Sequence, residues 1–338
     1  MFLIKALVVS FPFLLLFCIY IISDPFRVLY RYKNYYFPRE RQYITLNRDR
    51  ITTETLIRNY PVYHYDSYIF GNSRSYFYRT ADWSKLIGSS HCFHYNANDE
   101  SLYGIVQKLK YLDQHHYTFR NALFVFDIGL LKQSSPNKGH LFIKHPVYTR
   151  QPWMEYQAEF LKAFFDPRFL VAYLDLRITG KFKGYMKKVL NDKIYDYEFV
   201  HNELFLNDEE QKIKADSANY YQKKKKIFYE RSKVQEMIPP VIKTDQKILL
   251  KEMAELLQKQ SVDFRLIVSP LYDQKKLNEE DTKYLKELFG SAKVFDFSGK
   301  NEMTDPIGHY YENSHYRPYI ATQIMEFTYR HRVNLISQ

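Results

Sequence analysis

Two short stretches near opposite ends of the chain carry the residue types that nucleophilic catalysis needs. In the first, residues 66–75, an apolar run ends in Gly71-Asn72-Ser73. A serine at a sharp strand-to-helix turn exposes its hydroxyl beside the N–H groups of the coming helix. One turn can then supply a nucleophile and part of an oxyanion site. The second stretch is Glu312-Asn313-Ser314-His315. Serine is a weak nucleophile until a base takes its proton. Histidine is the usual base at neutral pH, and a carboxylate fixes its tautomer and stabilises its charged form. Ser73, His315 and Glu312 are therefore the candidate nucleophile, base and orienting acid. Each has a plainer job open to it. Ser73 or Ser75 would serve as a helix N-cap, and Ser75 is also a rival nucleophile. His315 alone would pass for a core histidine. His309 is a rival base, but no carboxylate stands three residues before it.

The elements that must position these residues alternate between strand and helix. Strands are expected at 68–70, 92–95, 122–126, 264–268 and 293–297. Helices are expected at 102–112, around 249–257, at 277–289 and at 318–330, the last with a proline in its first turn and Ile320, Ile324 and Phe327 on one face. Continuous apolar strands between helices predict an α/β fold, a three-layer sandwich around a mostly parallel sheet covered on both faces. Ligands of such sheets bind at the carboxyl ends of the strands, and Ser73 and Asp127 both lie just past one. Residues 140–245 break the rhythm and read as a helical insertion. Within it, the lysine run 223–226 reads as a solvated helix face.

The first 23 residues read as a membrane anchor. From 6 to 22 the chain carries no charge; at 1.5 Å per residue that run is about 25 Å long, enough for a thin or locally adapted bilayer. No small-x-small cleavage site follows it. Residues 24–60 are basic and aromatic and read as a juxtamembrane connector, leaving 61–338 as the α/β domain. The basic flank favours a cytoplasmic side, although long domains can override that tendency. The formal charge of +11 favours polyanions or an anionic membrane surface, while the absence of any nucleic-acid motif argues against nucleic acid as a partner. The chain is 46% hydrophobic, and its 32 Tyr and 26 Phe read as the compositional habit of an A/T-rich genome rather than as an aromatic surface for sugars or lipid headgroups. Its two cysteines, Cys18 and Cys92, allow neither a disulfide within the domain nor a cysteine-based zinc site. The histidine pairs 91/94, 115/116 and 140/145 lack a carboxylate at ligand spacing, so no metal is expected. No glycine-rich phosphate loop is present, and no cofactor is expected.

The two motifs together resemble the SGNH/GDSL hydrolase superfamily, whose first block is Gly-Asp-Ser and whose last is Asp-x-x-His. Gly71-Asn72-Ser73-Arg74-Ser75 and Tyr311-Glu312-Asn313-Ser314-His315-Tyr316-Arg317-Pro318 are most similar to its membrane-anchored branch. That branch includes D-alanyl-lipoteichoic acid transfer and alginate O-acetylation proteins, which work beside membrane-bound O-acyltransferases. The resemblance runs from about 65 to 330 and leaves the insertion uncovered. It implies a serine esterase or O-acyltransferase acting on a cell-envelope polysaccharide, with the soluble domain outside the cytoplasm. It implies an acyl-carrying substrate and an O-acyltransferase partner in the membrane. The chain departs from the family where an oxyanion glycine would stand, at 96–101, and where Gly-x-Asn-Asp would stand, at 126–129. Asn98, Asn72, Arg74 and Asp127 are the remaining oxyanion or substrate candidates. The departures motivate an alternative: a catalytically degenerate scaffold or glycan-binding component of an envelope complex.

Overall fold

The computed structural model describes residues 2–36 and 41–330, with the side chains of 2–9 and 330 left undescribed. Five strands form the central sheet: β1 (Ser67–Gly71), β2 (Cys92–His94), β3 (Asn121–Phe126), β4 (Asp263–Val268) and β5 (Val294–Asp296). Their order is β2-β1-β3-β4-β5, and every neighbouring pair is parallel. This is the flavodoxin-type doubly wound order, in which the strand order reverses at β1. The carboxyl end of β1, and Ser73 beyond it, therefore lies at the switch point.

Alternation along the strands decides which side chains meet which layer. Tyr68, Phe70, Ala122, Phe124, Phe126, Leu266 and Val268 face one core. They share it with Ile105, Leu109 and Leu112 of the helix Leu102–Gln114 and with Leu250, Met253 and Leu257 of Thr244–Lys259. Ile69, Leu123, Val125 and Ile267 face the other, shared with Trp83 of Thr80–Ile87 and with Ile320, Ile324 and Met325 of Pro318–Arg330. The strands read as continuous apolar runs because both faces are covered. Phe327 departs from the expected face: it is exposed at the margin and packs edge-on to Phe295 and Phe297. Most of the largest buried side chains are tyrosines and phenylalanines, so the aromatic excess serves the core.

The N-terminal helix runs Phe2–Ser23 with Pro12 inside it. Part of the expected anchor lies outside the described side chains, and among the described residues no helix is long and apolar enough to cross a membrane. The end of this helix packs through Tyr20 against Phe164, and Phe26 packs against Phe160 and Phe169. Those partners sit on Trp153–Phe164 and Pro167–Thr179, two helices of the insertion. Residues 48–60 are more than a connector. The helix Arg48–Tyr63 buries Arg48, Asp49, Thr52, Thr53, Thr55 and Leu56 within the domain. Its polar sequence hid this, because what it buries is mostly matched by ions and amides rather than by apolar side chains.

Candidate functional site

Gly71 closes β1 and starts the turn. Its φ is +154°, and a Cβ there would sit 2.6 Å from the Val125 carbonyl oxygen, so a side chain cannot be accommodated. The next residues form a short 3-10 turn, Ser73–Phe77, rather than an α-helix. Asn72 caps it: Oδ1 accepts from the Arg74 N–H at 3.1 Å, and its carbonyl accepts from the Ser75 N–H at 2.9 Å and the Ser75 hydroxyl at 2.7 Å. The capping role open to Ser73 is thus filled by its neighbour, and Ser75 is buried and engaged, which removes it as a rival nucleophile. The same bonds narrow the oxyanion expectation, since the N–H groups of Arg74 and Ser75 are already used. The Ser73 N–H, first in the turn, has no place in the turn's own hydrogen-bond ladder.

Glu312 and His315 face each other across a tight hairpin, Tyr310–Glu312 paired with His315–Tyr316. The loop between them folds back on itself. Glu312 Oε1 is hydrogen-bonded to His315 Nδ1, and Oε2 accepts from the Ser314 N–H at 3.1 Å. The other ring nitrogen, His315 Nε2, lies 2.8 Å from Ser73 Oγ. Burial raises the Glu312 carboxyl pKa, but the hydrogen bond and charge of His315 and the Ser314 contacts outweigh it. The group ends below the ordinary carboxylate value and is ionised at neutral pH. The ring of Phe77 packs edge-on against His315 at 5.8 Å, and Tyr316 ties the second strand to the sheet through the Tyr78 and Ser269 hydroxyls.

The remaining candidates divide into two groups. Asn72, Arg74 and Asp127 form a network beside the serine. The Asp127 carboxylate accepts from Asn72 Nδ2, from Arg74 Nη1 at 2.7 Å and from the Leu130 N–H at 2.9 Å. Asp127 thus locks the turn after β1 to the end of β3, and a carboxylate that only accepts has no proton to offer an oxyanion. Asn98 lies on the loop after β2, where Oδ1 accepts from the Tyr76 hydroxyl. Burial lifts the Tyr76 pKa well above its ordinary value, so the phenol stays a donor. Asn98 Oδ1 is then the acceptor, and the Nδ2 amide is left to donate.

His309 is turned elsewhere, with Nδ1 at 3.0 Å from the Met303 carbonyl and its ring against Tyr319. His94 is buried, hydrogen-bonded to the Tyr78 carbonyl and to Asn96, and burial pushes its pKa down to about 3. The described residues hold no group of three or more His, Cys, Asp or Glu placed to bind a metal. Within the lysine run, Lys224 is not merely solvated; it pairs with Glu209 at 2.7 Å and donates to the Tyr311 carbonyl at 3.0 Å. Sequence reading missed Tyr76 and Glu210. Tyr76 stood three residues past the serine as one aromatic among many, and no local signal marks Glu210.

Chemically, the assembled atoms can remove a proton from Ser73 and hold the resulting imidazolium, with the Ser73 N–H left outside the turn's own hydrogen bonds. In comparisons with known proteins, no family model matches the chain, and no curated protein matches it.

Proposed function

We propose that this chain is a membrane-anchored serine esterase or O-acyltransferase of SGNH type, acting on a cell-envelope polysaccharide. The observation that carries this reading is the continuous hydrogen-bond path from Ser73 Oγ through both ring nitrogens of His315 to Glu312. Ser73 Oγ attacks the carbonyl carbon of an acyl ester while its proton passes to His315 Nε2. Glu312 stabilises the imidazolium through Nδ1–H. The developing oxyanion is held by the Ser73 N–H and the Asn98 amide. The C–O bond to the leaving alcohol breaks, and His315 returns the proton to that oxygen. A sugar hydroxyl, or water, then gives its proton to His315 and attacks the acyl carbon; the acyl–Oγ bond breaks and His315 returns that proton to Ser73 Oγ. The N-terminal helix anchors the domain outside the cytoplasm, beside a membrane-bound O-acyltransferase that hands over the acyl group. Exposed Phe11, Phe13, Leu14, Leu15, Phe17 and Ile22 on that helix support the anchor.

A fluorophosphonate probe and an activated acetyl ester test the chemistry. Wild-type protein should be labelled and should release acetate; Ser73→Ala should do neither while keeping its circular dichroism. Undiminished labelling of Ser73→Ala would sink the mechanism. The degenerate-scaffold reading is favoured by one observation, the use of the Arg74 and Ser75 N–H groups within the turn. Glycan binding by a wild-type protein that resists the probe would support it.

A further inference from the structure

The hairpin that carries Glu312 and His315 has two paired positions, Tyr310 with Tyr316 and Glu312 with His315, with a register shift between them. A two-stranded hairpin of this size has little stability of its own. Its second strand is tied to the sheet through Tyr316. Its first strand, which bears the carboxylate, is held by the insertion. Glu210, on the helix Asn207–Ala215, accepts from Arg317 Nε at 2.9 Å and Nη2 at 2.8 Å in a bidentate pair. The same carboxylate accepts from the Tyr311 hydroxyl at 2.7 Å. Tyr311 immediately precedes Glu312, and Arg317 follows His315 by two residues. One carboxylate therefore grips both arms of the hairpin. The neighbouring helix Ser217–Lys223 adds the Tyr220 hydroxyl on the Tyr311 carbonyl at 3.0 Å and the Tyr221 hydroxyl on the Tyr310 carbonyl at 3.0 Å.

From this geometry we infer that Glu210 is a positioning residue, through which the insertion sets the register of Glu312 and His315 against Ser73. The inference rests on the esterase reading for its consequence, but the clamp itself is a property of the fold. Bidentate arginine–carboxylate pairs fix geometry as well as adding energy, and an error near 1 Å in a reacting group costs on the order of 100-fold in rate. The insertion thereby becomes part of the apparatus that aligns the base.

The experiment uses the full chain in detergent micelles and two independent readouts. Hydrogen exchange of the 308–317 segment reports the clamp, and the rate of fluorophosphonate labelling reports its consequence. Glu210→Gln should speed exchange in 308–317 while leaving β1 and β3 unchanged. It should slow labelling roughly 10- to 100-fold, lowering kcat for an activated ester with KM nearly constant, and Glu210→Asp should restore part of the rate. Tyr311→Phe removes a single arm, guards against a folding defect in the first variant, and should give the same changes in smaller measure. Unchanged exchange in Glu210→Gln and Tyr311→Phe would overturn the clamp. Faster exchange with an unchanged labelling rate would overturn the positioning role. A wild-type protein that is never labelled refutes the esterase reading, and the exchange data still decide the clamp.

Discussion

Among the described residues, two of the places that bring carboxylates and nitrogen bases together differ sharply in exposure. At the hairpin, His315 and Glu312 keep 29% and 27% of their side-chain surface exposed. Behind the loop after β2, Lys108 and Glu100 are fully buried at 2.6 Å, with Asp49 3.2 Å from Lys108 and Lys144 closing the group. Burial raises the Asp49 pKa, but the two lysines overcome it and hold the group below its ordinary value. Burial likewise opposes the charge on Lys144, yet Glu100 and Asp49 hold its pKa above the ordinary value. This second cluster balances two cations with two anions, and it joins the helix Arg48–Tyr63 to the loop that carries Asn98. Titratable groups in contact can meet a substrate only where they are exposed; sealed from solvent, the same chemistry fastens one element to another.

Substitutions separate the two places, and the largest effect is expected at the exposed one. Glu312→Gln keeps an acceptor for His315 Nδ1 but removes the charge. Turnover of an activated ester should fall by roughly 10⁴-fold, about 5 kcal/mol of transition-state stabilisation, with the urea midpoint unchanged. A midpoint that falls with the rate would erase the distinction between the two clusters. Glu100→Ala leaves two lysines facing one carboxylate and should cost about 3–5 kcal/mol in urea unfolding; a neutral result would deny the cluster its fastening role.

Acid should act on the buried core and on the hairpin's supports in different windows. Burial, assisted by the charges of Arg48 and Arg79, pushes the His94 pKa down to about 3, below its unfolded value near 6.5. The unfolded chain binds that proton first, so global stability should decline as pH falls from about 6.5 toward 3. On the insertion helix beside the hairpin, burial raises the pKa of Glu209, but Lys224, Tyr220 and Lys212 bring it down to about 2 from the ordinary 4.5, and Lys224 and Tyr220 in turn hold the Tyr311 carbonyl. The contribution of Glu209 is complete above the ordinary carboxylate range and is lost as pH falls through about 2. Hydrogen exchange of 308–317 corrected for global unfolding should therefore keep its protection at pH of about 5, where urea unfolding already registers His94. Loss of hairpin protection under those conditions would contradict this assignment.

The sheet was legible because each strand buries both faces and so appears as an uninterrupted apolar run; all five expected strands occur, with ends shifted by at most one residue. Ser73, Glu312 and His315 were legible because one short turn and one short hairpin carry them. The helix Arg48–Tyr63 was not, because its buried Arg48 finds Asn96 Oδ1 at 2.9 Å and the Asn202 carbonyl at 2.6 Å, partners 48 and 154 residues away. Nothing local in a polar segment announces that such partners exist. The 3-10 turn was missed for a related reason: Asn72 takes the cap that serine could have taken, and neighbouring polar residues compete for that role on nearly equal terms.

Residue order alone settles which side chains are available and how far apart they stand along β1 and along the hairpin, since strand period and turn geometry are local. Whether Ser73 and His315 meet, whether Glu210 grips the hairpin, and whether Lys108 is sealed or solvated depend on how distant segments pack. Those outcomes belong to the tertiary structure, because contact distance and exclusion of water are set by the whole core and not by any stretch of chain within it.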